Sequence, residues 1–220
     1  MFVSIFAKMK YTRNILRTIC FKLVFLLLLP VFLACSGSTE TYCYQVPEEK
    51  LKEGDIVFRC GPGVVSRTVL FLDKGGIYSH IGLVVRDKSG WYVIHAVPGE
   101  PDYQGDPDRV KMESIRDFFS PERASAGAIV RLKCDSVDIR PTLKSARNLY
   151  LRRTLFDHNY DLEDTTKMYC TEFIAFVFKK SGLDLVPPVI RKVPIPGRDE
   201  RCILPSDIYN RKDVELIYSF

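Results

Sequence analysis

A cysteine directly ahead of an apolar helical stretch and two histidines flanking a short turn are the residues of this chain best suited to chemistry. Cys170 precedes Thr171 to Lys180, in which Phe173, Ile174, Ala175, Phe176, Val177 and Phe178 are consecutive. A helix apolar almost all round is buried rather than amphipathic. A thiol at such a helix start meets unbonded backbone N–H groups and the positive end of the dipole, which lower its pKa. With an imidazole nearby it is an effective nucleophile. The chain has three histidines: His80, His95 and His158. His80 opens the β-rich run His80–Arg86, and His95 lies near the end of Trp91–Val97. Asp87-Lys88-Ser89-Gly90 joins these runs as a hairpin, which makes the two imidazoles near neighbours on one sheet. Gly82 leaves space beside them. Thiol, imidazole and a second polar group are the parts of a nucleophile, a base and an orienter.

The elements that must hold these residues follow from pattern and punctuation. Asp55–Arg59 reads as a strand after the Glu53-Gly54 turn, and Val64–Leu72 as a short apolar helix between glycines. Residues 98 to 109, rich in Pro, Gly and Asp, form a loop; Ser114–Phe119 is a short helix and Ala128–Lys133 a strand. Pro141 suits the first turn of a helix running to Leu151. Lys179, Lys180 and Gly182 close the helix after Cys170. Residues 184 to 205, with five prolines, read as an irregular excursion, followed by a helical turn at Pro205–Asn210 and a strand at Val214–Tyr218. Antiparallel strands with segregated helices indicate an α+β fold.

The first 34 residues stand apart. Lys8, Lys10, Arg13, Arg17 and Lys22 precede the apolar run Leu23–Ala34, and no acid is present. This is the layout of a secretory signal, and the apolar run falls short of the roughly 20 residues that span a bilayer. Phe32-Leu33-Ala34-Cys35 resembles a bacterial lipobox, which makes Cys35 the lipidated first residue of the mature chain. The expected organisation is a signal at 1–34, a tether at 35–50 and one domain at 51–220. Removing the leader's five bases from 32 Lys and Arg leaves 27, equal to the 27 Asp and Glu. The basic balance therefore belongs to the leader, and nucleic-acid binding loses its support. Once Cys20 is removed and Cys35 acylated, Cys43, Cys60, Cys134, Cys170 and Cys202 remain. In an oxidising envelope four can pair, leaving one odd thiol.

Three blocks carry a resemblance: Gly54-Asp55-Ile56-Val57-Phe58-Arg59, Tyr78-Ser79-His80-Ile81-Gly82-Leu83-Val84 and Tyr169-Cys170-Thr171-Glu172-Phe173. Together they resemble the YiiX-like branch of the NlpC-related cysteine hydrolases, over about Gly54 to Ile208. The resemblance implies a circularly permuted papain-like fold in which an antiparallel sheet packs against helices, one of them the buried nucleophile helix. It also implies Cys170 as nucleophile, His80 as base and His95 as the third polar residue. Many members carry Glu at that third place; His there is closer to the lecithin:retinol acyltransferase branch. On this reading His95 orients His80, and Glu in its place retains much of the activity. The backbone N–H of Cys170 is the natural oxyanion donor, with Tyr169 and Tyr78 as further candidate contacts.

Competing signals are weaker. Asp157 to Asp164 begins like a calcium loop, but Leu162 stands where glycine is required and Met168 where the bidentate acid belongs. No Gly-x-Ser-x-Gly, His-Glu-x-x-His or Cys-x-x-Cys occurs. The reading is of an enzyme that needs neither metal nor cofactor. Three functions fit: an envelope cysteine hydrolase acting on cell-wall peptide, a lipid deacylase or acyltransferase using an acylated substrate, and a silent envelope-binding lipoprotein. In each the membrane partner is reached through the lipid on Cys35.

Overall fold

The computed structural model describes residues 44–134, 136–195 and 198–220. The expected signal, Cys35 with its lipid, Cys43 and most of the tether lie outside the described residues. Among the described residues no helix is long and apolar enough to cross a membrane.

The framework is an eight-stranded sheet. In chain order its strands are β1 (Ile56–Cys60), β2 (His80–Asp87), β3 (Gly90–Val97), β4 (Arg109–Ser114), β5 (Ala126–Leu132), β6 (Leu155–Phe156), β7 (Lys167–Met168) and β10 (Val214–Ser219), laid out as β10-β5-β1-β2-β3-β4-β6-β7. Every pairing is antiparallel except β6 with β7. A separate hairpin, β8 (Arg191–Ile195) with β9 (Arg198–Cys202), occupies part of the expected irregular excursion. The helices are α1 (Val64–Leu72), α2 (Ile115–Phe118), α3 (Arg140–Leu151), α4 (Cys170–Lys179) and α5 (Pro205–Tyr209). The α+β class read from the sequence is the one observed.

Alternation along the strands splits the core between two faces of the sheet. Ile56, Phe58, Ile81, Leu83, Ile94 and Ala96 face one way and pack with Phe173, Ile174, Val177 and Phe178 of α4. Val57, Val84, Val93 and Ile129 face the other way, against Ile115, Phe118 and Phe119. The apolar run of α4 is thus a central part of the first core layer; Phe173, Ile174, Val177 and Phe178 are all fully buried. Such burial stabilises by roughly 1.5–3 kcal/mol for each large side chain.

The hairpin expected across Asp87–Gly90 is present, with register from Asp87↔Gly90 to Leu83↔Ile94. Beyond that pair β2 and β3 continue to His80 and Val97 without further ladder pairing to each other. Glycine is required at position 82, because an added Cβ would lie 2.4 Å from Val93 Cγ1 and 3.2 Å from His95 Cβ. The missing side chain is the space that His95 occupies.

Candidate active site

His80 and His95 project from the face that carries Phe118. Their rings meet in a direct hydrogen bond, His80 Nε2 to His95 Nδ1 at 2.7 Å, with both rings against Phe118. His95 is fully buried and His80 nearly so. On the far side of His95 stands Glu113 of β4, a residue that the sequence reading did not single out. Its Oε1 is 3.1 Å from His95 Nε2, off the axis of a well-formed hydrogen bond. Strand register explains its place: Lys111 is paired with His95, and Glu113 follows two residues on, on the same face.

Glu113 is held by two guanidiniums. Arg123 forms a close ion pair with it, and Arg59 Nη1 lies 3.6 Å from its Oε1. Arg59 also pairs with Glu100, donates to Phe118 O at 3.0 Å and lies over the Phe118 ring. Two arginines and two glutamates thus form a partly buried shell with no net charge, Arg59 innermost. Burial alone would push the Glu113 carboxyl up, but His95, Arg59 and Arg123 hold it at about 2. Both histidines are lowered as well, chiefly by burial, with Arg59 opposing a positive charge on each. Near neutral pH the carboxylate is charged and the imidazoles are neutral.

That charge pattern assigns the tautomers. The carboxylate favours a proton on His95 Nε2, which leaves a lone pair on His95 Nδ1. That nitrogen accepts from His80 Nε2–H. His80 Nδ1 is left with a lone pair, which is the state of a general base.

Cys170 is the first residue of α4, after Tyr169 as N-cap. The Tyr169 N–H donates to Glu172 Oε2 at 3.3 Å, one half of a capping box. Glu172 is itself pushed up to about 8, by burial first and then by Asp157, Asp164 and Asp161. At pH 7 this cap is a neutral acid, so it places no anion beside the sulfur. The backbone N–H groups of Thr171, Cys170 and Ile81 favour the thiolate form of Cys170. Ile81 is the neighbour of His80, so the thiol reaches β2 where its pairing with β3 has ended.

His80 alternates with Ile81 at this end of β2. No hydrogen bond joins Cys170 to His80 among the described residues. The low thiol pKa expected at a helix start is also not found. Burial pushes Cys170 up to about 11, against the pull of the three N–H groups and of Arg59. Desolvation outweighs the helix terminus. The resting pair is a neutral thiol and a neutral imidazole. We therefore expect alkylation of Cys170 by iodoacetamide to accelerate about tenfold per pH unit from pH 7 to 10, without a plateau. A plateau reached below pH 8 in the rate followed by mass spectrometry would show a preformed thiolate–imidazolium pair instead.

The other singled-out residues are placed as follows. Tyr169 is buried, and its hydroxyl accepts from Ile203 N at 3.0 Å. Thr171 Oγ1 donates to Ile203 O at 2.6 Å, so Ile203 is fixed to the start of α4 on both sides. Tyr78 packs among Phe58 and Tyr209 in the core. His158 is exposed, 3.1 Å from Asp108. Asp157 accepts from Asn159 N and Asp161 N, which organises the acidic loop. Cys60 is a free thiol as well as Cys170, so the expected single odd thiol is not what the fold holds.

An α+β fold with a cysteine-led buried helix against an antiparallel sheet is what these residues define. Among solved structures the chain is similar to one titled as the crystal structure of metalloprotein YiiX from Escherichia coli O157:H7, DUF1105. The TM-score is 0.60 at 16% identity, covering 77% of this chain and 97% of that one. The fold is therefore YiiX-like. No protein-family model matches the chain, and no curated protein matches it.

Proposed function

We propose that this protein is a cysteine hydrolase of the NlpC-related, papain-like kind, breaking an amide or ester bond through an acyl-thioester on Cys170. The observation that carries the reading is the polarised chain Glu113–His95–His80, which ends in a bare imidazole nitrogen on His80, next in sequence to Ile81, whose backbone N–H favours the Cys170 thiolate. His80 Nδ1 takes the thiol proton as Cys170 Sγ attacks the carbonyl carbon. It then delivers that proton to the leaving nitrogen or oxygen as the C–N or C–O bond breaks. Water, deprotonated by His80, releases the acid and restores the thiol. The Cys170 N–H is an oxyanion donor at the helix start. The sequence alone puts cell-wall peptide in the envelope first as substrate; the walls of the cavity at Cys170, described below, favour an apolar acyl donor over it.

The solved neighbour is titled a metalloprotein. Among the described residues here, no group of three or more His, Cys, Asp and Glu is placed to hold a metal ion. His80 and His95 also direct their facing nitrogens at each other. This donor set does not fit a metal, and no step is routed through one.

Intact-mass analysis after brief exposure to activated amides and esters tests the reading. A mass increase equal to the acyl group on Cys170, absent in Cys170→Ala, is expected; an adduct that persists in the variant sinks the assignment. The anchor is a separate proposal. Fatty-acid labelling should mark the wild type, whereas Cys35→Ser takes up no label and leaves the membrane fraction. A Cys35→Ser variant that stays membrane-bound, with an unlabelled wild type, would replace the lipoprotein reading with an uncleaved anchor.

A further inference from the structure

We infer that the cavity running from Cys170 along α1 is an acyl-chain site, so the preferred substrate is an ester or amide of an apolar acyl group with a polar leaving group. The inference rests on the acyl-thioester reading above.

Two cavities meet at this end of the sheet, and their walls differ in chemistry. One, of about 490 Å³, is lined by Cys170 itself together with Val64, Val69, Leu72, Val193, Leu204 and Pro205. The other, of about 300 Å³, is lined by His80, Arg59, Ser79, Glu122 and Arg123. Val65 borders both.

The order of proton and acyl movement decides which part of a substrate occupies each. The acyl group stays on sulfur after the first step, so it occupies the cavity that contains Cys170. The leaving group receives its proton from His80, so it occupies the cavity that contains His80. The sulfur side is almost wholly apolar, whereas the imidazole side sets charged and hydroxyl groups among Pro62, Val97 and Pro98. A peptide acyl donor, with amides and charges along its length, would leave its polar groups unpaired against the sulfur-side wall. An alkyl chain would not.

Two further observations agree. The helix edging the apolar cavity leaves Val64, Val65 and Phe71 exposed, at 73%, 59% and 77%. Buried anchors fix the wall behind it. Asp73, directly after α1, is fully buried and accepts from Arg191 Nη2 at 2.8 Å and from Ser206 N at 2.9 Å. The apolar walls on α1, β8 and α5 are thus tied together by one buried carboxylate. The site is a built trough with an apolar lip.

The test uses the full chain and monomeric p-nitrophenyl esters from acetate to octanoate, each below its aggregation limit, so that chain binding is kept apart from membrane attachment. Each added methylene should raise kcat/KM about fourfold until the trough is filled, which is ~0.8 kcal/mol per CH₂. Val64→Asp/Phe71→Asp changes two exposed residues at the lip, and it should remove most of the octanoate gain while costing acetate turnover far less. If that variant melts early, Val64→Thr/Phe71→Ser serves in its place. A chain-length dependence that is flat while acetate is turned over overturns the acyl site and leaves the cysteine hydrolase standing. Equal loss on acetate and octanoate in a folded variant also overturns it. Failure of every ester to acylate Cys170 overturns the hydrolase reading itself.

Discussion

Cys170→Ala should lose turnover by at least about 10⁴-fold, and His80→Ala should lose it to within an order of magnitude of the same extent. The two effects should not add, because proton removal and attack are one event and either variant abolishes it. The double variant should match the worse single one. Stability separates the pair in a way that activity does not. Cys170 is only partly buried, and removing its sulfur should change stability by less than ~1 kcal/mol. His80→Ala leaves His95 Nδ1 buried without its partner, at a cost of about 1–3 kcal/mol. Thermal melts read beside kinetics would show this contrast. A Cys170→Ala protein that still turns over substrate would remove the thiol from the mechanism, whatever its melting point.

The buried helix after Tyr169, the histidine hairpin and the α+β class were all legible in the sequence. Their signals are local: an apolar run closed by lysines and glycine, and two β-rich runs around a turn. Glu113 was not legible, for two physical reasons. The segment Arg109 to Ser114 alternates charged and apolar residues, a pattern that reads as a strand with a solvated face. In the fold that charged face is buried: Arg109, Lys111 and His95 have almost no exposure. Its charges are satisfied in the loop at 98–109, by the Asp102 and Asp106 carboxylates and the Glu100 carbonyl, which no local pattern announces. The β8–β9 hairpin was hidden by prolines, which are tolerated because this two-stranded unit lies outside the main sheet. The thiol was misread through magnitudes. A helix start lowers a pKa, but at this site desolvation raises it by more.

Glu113 also changes what should follow from altering His95. Read from sequence, Glu at position 95 keeps activity because a carboxylate accepts the same His80 N–H. In the fold, that new carboxylate would stand against Glu113, already about 3 Å from the ring it replaces. Two buried carboxyls at such range cannot both ionise easily, and one must take up a proton. Arg59 and Arg123 would then face three acids, Glu100 included, in a shell that is now balanced. His95→Glu alone should therefore lose activity by about 10²-fold or more, comparable to His95→Ala. Glu113→Gln alone should lose about 10- to 100-fold, since a neutral amide no longer fixes the proton on His95 Nε2. The double variant His95→Glu/Glu113→Gln restores one carboxylate to the shell and an acceptor to His80 Nε2–H. It should exceed His95→Glu in kcat by at least about tenfold, a sign of coupling that independent losses cannot produce. Its acid limb should move to higher pH than in Glu113→Gln, because an ionised carboxylate in direct contact with His80 favours the protonated ring. If the double variant is no better than the product of the singles, Glu113 serves only to neutralise Arg59 and Arg123, and His95 orients His80 without it.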